Sequence, residues 1–135
     1  MKTVLNSGTS LFAAVDGEKK KVGLLRAISE MKMDSDMVDV TTLDAMNGFR
    51  TYMQGLKSAG DITVDGFLSK DEESQVLLRS LFLSGQAAEW EIAYPDGEKC
   101  LFSALVKSVS MGGGEVDQAA RFACVLKISG GVTFA

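Results

Sequence analysis

The chain has 135 residues, with 14 basic and 18 acidic side chains for a net charge of −4, and 46% hydrophobic against 24% charged residues. That balance describes a single globular domain over residues 1–135, long enough to bury a core without disulfides or metal. It argues against a protein that must grip phosphates, because affinity for nucleic acid comes largely from basic side chains displacing counterions. The sequence contains no histidine, which removes the usual general base and the usual zinc ligand.

Taken in chain order, residues 10–15 (SLFAAV) are a strand candidate, and Asp16-Gly17 is a hairpin-type turn signal. Residues 22–31 are expected to return as the partner strand, with Lys19, Lys20 and Lys21 as a solvated turn before it. Residues 37–42 (MVDVTT) form another β-prone run. The next stretch, LDAMNGFRTYMQGLKSAGD, repeats apolar residues at helical steps (Met46, Phe49, Tyr52, Met53, Leu56) yet is interrupted by Gly48, Gly55 and Gly60. Such a segment reads either as a short, locally packed helix or as a long interrupted connection.

Residues 62–68 alternate as a strand. A helix is expected over about 69–84, with Ser69 and Glu72 at capping-box spacing and Gly85 as its left-handed C-cap. Residues 88–94 and 99–109 form a hairpin around Pro95-Asp96-Gly97, and residues 119–129 form the last strand. The returning strand has two apolar faces, Cys100, Phe102, Ala104 and Val106 on one, Leu101, Leu105 and Val109 on the other. A face that met only water would be polar, so the second face is expected to be covered on assembly. Cys100 and Cys124 sit inside apolar runs and read as buried, reduced packing residues. The sum is a mainly β chain, an antiparallel β-sandwich or barrel of six or seven strands with one flanking helix.

No constellation for catalysis stands out, so the chain is not expected to be an enzyme, and no catalytic, cofactor-binding or metal residue is assigned. Asp34, Asp36 and Asp39 resemble a calcium loop only until its sixth position, which lacks glycine, and its twelfth, which is Ala45. Gly112, Gly113 and Gly114 are not followed by the Gly-Lys pair and helix of a phosphate loop. No apolar run approaches the ~18 residues of a membrane span, and Asn6 to Ser10 break up any signal-peptide core. Synthesis inside the cell and no membrane partner are expected.

The chain resembles the major tail tube proteins of long-tailed bacteriophages, and with them the tube proteins of contractile tails and type VI secretion. The resemblance runs from SGTSLFAA, through VGLLRAISEMKMDSDMVDVTTLDA and GLKSAGDITVDG, to the helix segment QVLLRSL, the hairpin IAYPDGEKCLFSALVKSV and the closing KISGG. It implies a structural virion protein whose hexameric rings stack around a tape-measure protein, between tail terminator and baseplate or tip proteins. It further implies assembly in the host cytoplasm and a lumen that conducts viral DNA without specific binding. It also makes about 45–60 a long mobile loop, the connection that reaches a neighbouring subunit or ring, with Met46, Phe49, Arg50, Tyr52, Met53 and Leu56 as its anchors. The alternative is a monomeric ligand-binding β-barrel with 45–60 as a lid and Trp90, Tyr94 and Phe102 lining the pocket.

Overall fold

The computed structural model describes residues 7–44, 47–113 and 115–135. Strand β1 (Ser10–Val15) turns at Asp16 and Gly17, both at positive φ (53° and 81°), into β2 (Glu18–Lys21). A two-residue turn of this hand matches the twist of the strands it joins. The lysine run is therefore the return strand itself, with Ala14 opposite Lys19 and Phe12 opposite Lys21. Of residues 22–31, Val22 still donates its amide to the Leu11 carbonyl of β1 (2.8 Å), but β3 (Leu25–Ile28) is bonded to β6 (Asp61–Phe67) instead of β1.

Those two edge strands explain the shape of the sheet. Its order is β2-β1-β7-β8-β9-β6-β3, where β7 is Ala88–Ala93, β8 Lys99–Met111 and β9 Arg121–Phe134. All the pairings within it are antiparallel. Only Val22, Gly23 and Leu24 join its two ends, a span of at most about 14 Å, so the sheet curls into a half-barrel. Leu24 bends at φ 61° and its carbonyl accepts a hydrogen bond from the Phe67 amide at 3.0 Å. Gly66 lies opposite Leu25, and a Cβ there would strike the Leu24 carbonyl oxygen and come within 2.8 Å of the Leu25 Cα.

Alternation along the strands sends Leu11, Ile62, Val64, Trp90, Phe102, Phe122 and Leu126 to the concave face, where all are buried. Helix α1 (Glu73–Ser84) covers that face with Leu78 and Leu81. It starts later than the capping-box spacing predicts: Glu72 is the N-cap and makes no side-chain cap bond. The nearby side chains are used to tie the helix down. Gln75 Oε1 accepts from the Ser69 amide (3.0 Å) while its Nε2 donates to the Phe67 carbonyl (2.8 Å), and Ser74 Oγ accepts from the Gly23 amide (3.0 Å). At the other end Gly85 takes the left-handed C-cap conformation (φ 72°), its amide donating to the Leu81 carbonyl at 3.0 Å.

Cys100 and Cys124 are buried and free. Burial raises both thiols, Cys124 to about 12, which keeps them protonated packing residues. Trp90 and Phe102 belong to the same core, and the Trp90 indole donates to the Ala104 carbonyl at 3.2 Å. Both are enclosed within it. Tyr94 is half-buried against this core, with its hydroxyl pKa raised first by desolvation.

Candidate assembly surfaces

Strands β4 (Asp34–Asp39) and β5 (Tyr52–Ser58) form a separate two-stranded sheet, an arm outside the half-barrel. The stretch read as a broken helix or loop is thus half strand. β-Branched and aromatic residues here face a partner strand, and Val38 lies opposite Met53, Asp39 opposite Tyr52 and Met37 opposite Gln54. Pairing continues past both strand ends, where the Val40 amide donates to the Thr51 carbonyl (2.9 Å) and the Thr51 amide to Thr41 Oγ1 (2.8 Å).

Register decides which side chains share a face. Ser35 pairs with Lys57 and Met37 with Gln54, so Gly55 and Leu56 together oppose Asp36 in a bulge. One face then carries Met37 and Tyr52 beside Ser35, Gln54 and Lys57. The other carries Val38 and Met53, with Val40 in step, and the bulge brings Leu56 round to it. Asp36 and Leu56 line one hollow and Gln54 a neighbouring groove that faces Ile128, Gly130, Gly131 and Val132 of β9, while Asp34, Ser35, Lys57 and Ser58 border both.

The anchors expected to form one helical stripe are therefore divided between two faces, with Phe49 near the tip. Leu56 is 82% and Phe49 72% exposed. Met46 lies outside the described residues. Arg50 is engaged within the arm, its guanidinium 3.3 Å from Asp39. The Thr41 hydroxyl and amide, and then Arg50, hold the Asp39 carboxyl below its ordinary value. Asp34, Asp36 and Asp39 lie along one strand, Asp39 on the face opposite the other two. Sequence reasoning overlooked Met37, Val38 and Val40, all exposed. The alternation of MVDV marked them as strand residues, and only the missing cover marks them as surface.

The second candidate surface is the convex side of the half-barrel. Leu101 and Leu105 lie on it, Leu105 still 37% exposed. Val109 does not share their face. The register shifts between Val106 and Ser108, placing Val109 opposite Cys124, and its side chain packs on the core. Around Leu105, Asp61 sits between Lys107 (3.2 Å) and Lys127 (3.5 Å), and Lys107 first of all lowers its pKa. On β7, Glu91 is buried and paired with Lys19 at 2.9 Å, while that ammonium lies 5.6 Å from the Phe12 ring centre. Among the described residues no three or more acidic or thiol side chains gather as a metal cage would need.

A family model described as lambda phage tail tube protein matches residues 7–131. No curated protein matches the chain. Among solved structures, the tail of an empty gene transfer agent particle with C6 symmetry superposes with a TM-score of 0.75 at 21% identity, covering 93% of this chain and 94% of that one. The tail tube of SPP1 superposes at 0.71 with 12% identity over 95% of this chain and 77% of that one. A chain from the sheath and tube terminator of an extracellular contractile injection system superposes at 0.76 with 13% identity, covering 100% and 98%.

Proposed function

The chain belongs to the lambda phage tail tube protein family, and from that premise we propose that residues 1–135 form one tube domain that closes into hexameric rings, the rings stacking into the tail tube. The family gives the broader role, a structural component of the virion, and supports reading the chain as no catalyst. The finer reading adds a tape-measure protein inside the growing tube, a terminator and a baseplate or tip at its ends, assembly in the host cytoplasm, and passage of viral DNA through the finished lumen. A likeness to a sixfold tail supports the ring number.

The observation that carries the self-assembly reading is the arm. A two-stranded ribbon on its own is at best marginally stable in water, and this one exposes Met37, Val38, Tyr52, Met53 and Leu56, with no layer among the described residues covering them. We assign Phe49, Arg50, Tyr52, Met53 and Leu56, with Leu101 and Leu105 on the convex face, to contacts between subunits. Negative-stain microscopy of the purified chain at rising concentration tests this. Rings or tubes are expected, and a strict monomer at every concentration refutes the reading.

The lid reading finds no support in the geometry. Tyr52–Ser58 is a strand, and the aromatics it would cover are core or packed on it.

A further inference from the structure

We infer that Asn47 is a self-modifying residue: its side-chain amide is lost to attack by the backbone nitrogen of Gly48, and water leaves a carboxylate in its place. The chain has two asparagines, Asn6 and Asn47, and Asn47 alone precedes a glycine. Asn47 is exposed in the connection between β4 and β5, and its Oδ1 accepts a hydrogen bond from the Phe49 amide at 3.1 Å. That bond curls the side chain back over its own backbone. Cγ is thereby held beside the Gly48 nitrogen that attacks it, and the oxygen that gains charge during the attack already has a donor. Gly48 stands at φ 74° with open space where a Cβ would lie. Among the described residues its amide donates to no backbone acceptor.

The step balances with water as its co-reactant. The Gly48 nitrogen, its proton taken by hydroxide, bonds to Asn47 Cγ, the Cγ–Nδ2 bond breaks, and ammonia leaves behind a succinimide. Water then opens either ring carbonyl. One opening gives aspartate, the other isoaspartate, in which the main chain runs through the side-chain carbon. Three Asp-Gly pairs could close the same ring, but a carboxylate is a poorer electrophile than a carboxamide, and each pair is held in place. The Gly97 amide is committed to the Tyr94 carbonyl at 3.0 Å. Asp65 and Gly66 lie in β6 between β3 and β9. Asp16 and Gly17 form the β1–β2 turn, both at positive φ. At Asn47 the product puts a negative charge beside Phe49, and in the isoaspartate form the oxygen that Phe49 bonds is drawn into the main chain.

Incubation of the full chain in mildly alkaline heavy-oxygen water, followed by peptide mapping, tests the inference. Solvent oxygen should enter at Asn47 at least about tenfold faster than at Asp16, Asp65 or Asp96, in proportion to hydroxide, and at a rate within about threefold of that in a free peptide of residues 43–51. Isoaspartate should be among the products. Gly48→Ala, whose methyl group crowds the attacking nitrogen, should slow the reaction at least about tenfold. A folded chain that keeps its Asn47 amide while the free peptide loses it shows that the fold shields the site, and overturns the proposal. Loss at an unchanged rate in Gly48→Ala, or aspartate with no isoaspartate, means direct hydrolysis by water and overturns it as well. The chemistry is read on dissolved chain, so its outcome stands apart from whether tubes form.

Discussion

The half-barrel and the arm are both antiparallel β-structure built from similar side chains, yet they stand in opposite relations to water. In the half-barrel, alternation along β7, β8 and β9 delivers Trp90, Phe102, Phe122 and Leu126 to a face that α1 covers, and each is almost fully buried. In the arm the same alternation delivers Met37 and Tyr52 to one side and Val38 and Met53 to the other, and every one of them is exposed. The difference teaches that the period of a strand places its side chains on faces, while cover comes from a second layer. The half-barrel supplies its own layer. The arm has to find one.

Removing a core side chain should separate the two regions most sharply. Trp90→Ala deletes a fully enclosed ring and its bond to the Ala104 carbonyl, and is expected to cost about 3–5 kcal/mol. Urea unfolding of the monomer should show it, with assembly lost because the fold is lost. A cost below about 1 kcal/mol would mean that the core around β7 and β8 is looser than its burial indicates.

At the seam of the half-barrel, Gly66→Ala puts a methyl group into the backbone of Leu24 and Leu25. We expect a loss of about 2–3 kcal/mol, the scale of an overpacked site, with faster amide exchange confined to β3 and β6. Unchanged exchange there would show that β3 can step aside without penalty. The pair of Lys19 and Glu91 should matter less. Lys19→Met leaves the buried Glu91 carboxylate without its partner, for about 1–2 kcal/mol, and the companion change Glu91→Gln should restore most of it.

The arm should behave in the opposite way. Phe49→Asp is expected to alter monomer stability by less than about 0.5 kcal/mol, as surface changes do, while rings and tubes disappear from micrographs. A variant that unfolds instead would make Phe49 an ordinary packing residue.

The smallest effect concerns pH. Lys107, most of all, lowers the pKa of Asp61 below its ordinary 3.8. A depressed carboxylate stabilises the folded state above its unfolded pKa, and that contribution fades as pH falls through the folded value. Acidification below 3.8 should therefore weaken the Lys107–Asp61–Lys127 staple. Because these side chains are partly exposed, a shallow decline is expected, absent in Asp61→Asn.

Much of this was legible from residues alone. The turn at Asp16-Gly17, the hairpin around Pro95-Asp96-Gly97, the C-cap at Gly85 and the buried cysteines rest on local chemistry that acts within a few residues. Errors came where a distant partner decides. Lys19 to Lys21 form a strand because β1 offers an edge to pair with, and residues 25–28 leave β1 because β6 claims them across more than thirty positions. In the arm, apolar residues at three- and four-residue steps imitate a helix, and a bulge opposite Asp36 produces such spacing in a strand too.

By itself, then, the sequence determined the fold class, the helix and the alternation that fills the core, since these follow from short-range periodicity and turn chemistry; the family resemblance rested instead on the order and spacing of whole segments. Tertiary structure alone decided that Val109 turns inward past a register shift and that Tyr52 and Met53 look in opposite directions. It also decided that the apolar residues of the arm have no cover among the described residues. Burial is a property of what lies across the gap, and hydrogen-bond register between strands far apart in sequence sets what lies there.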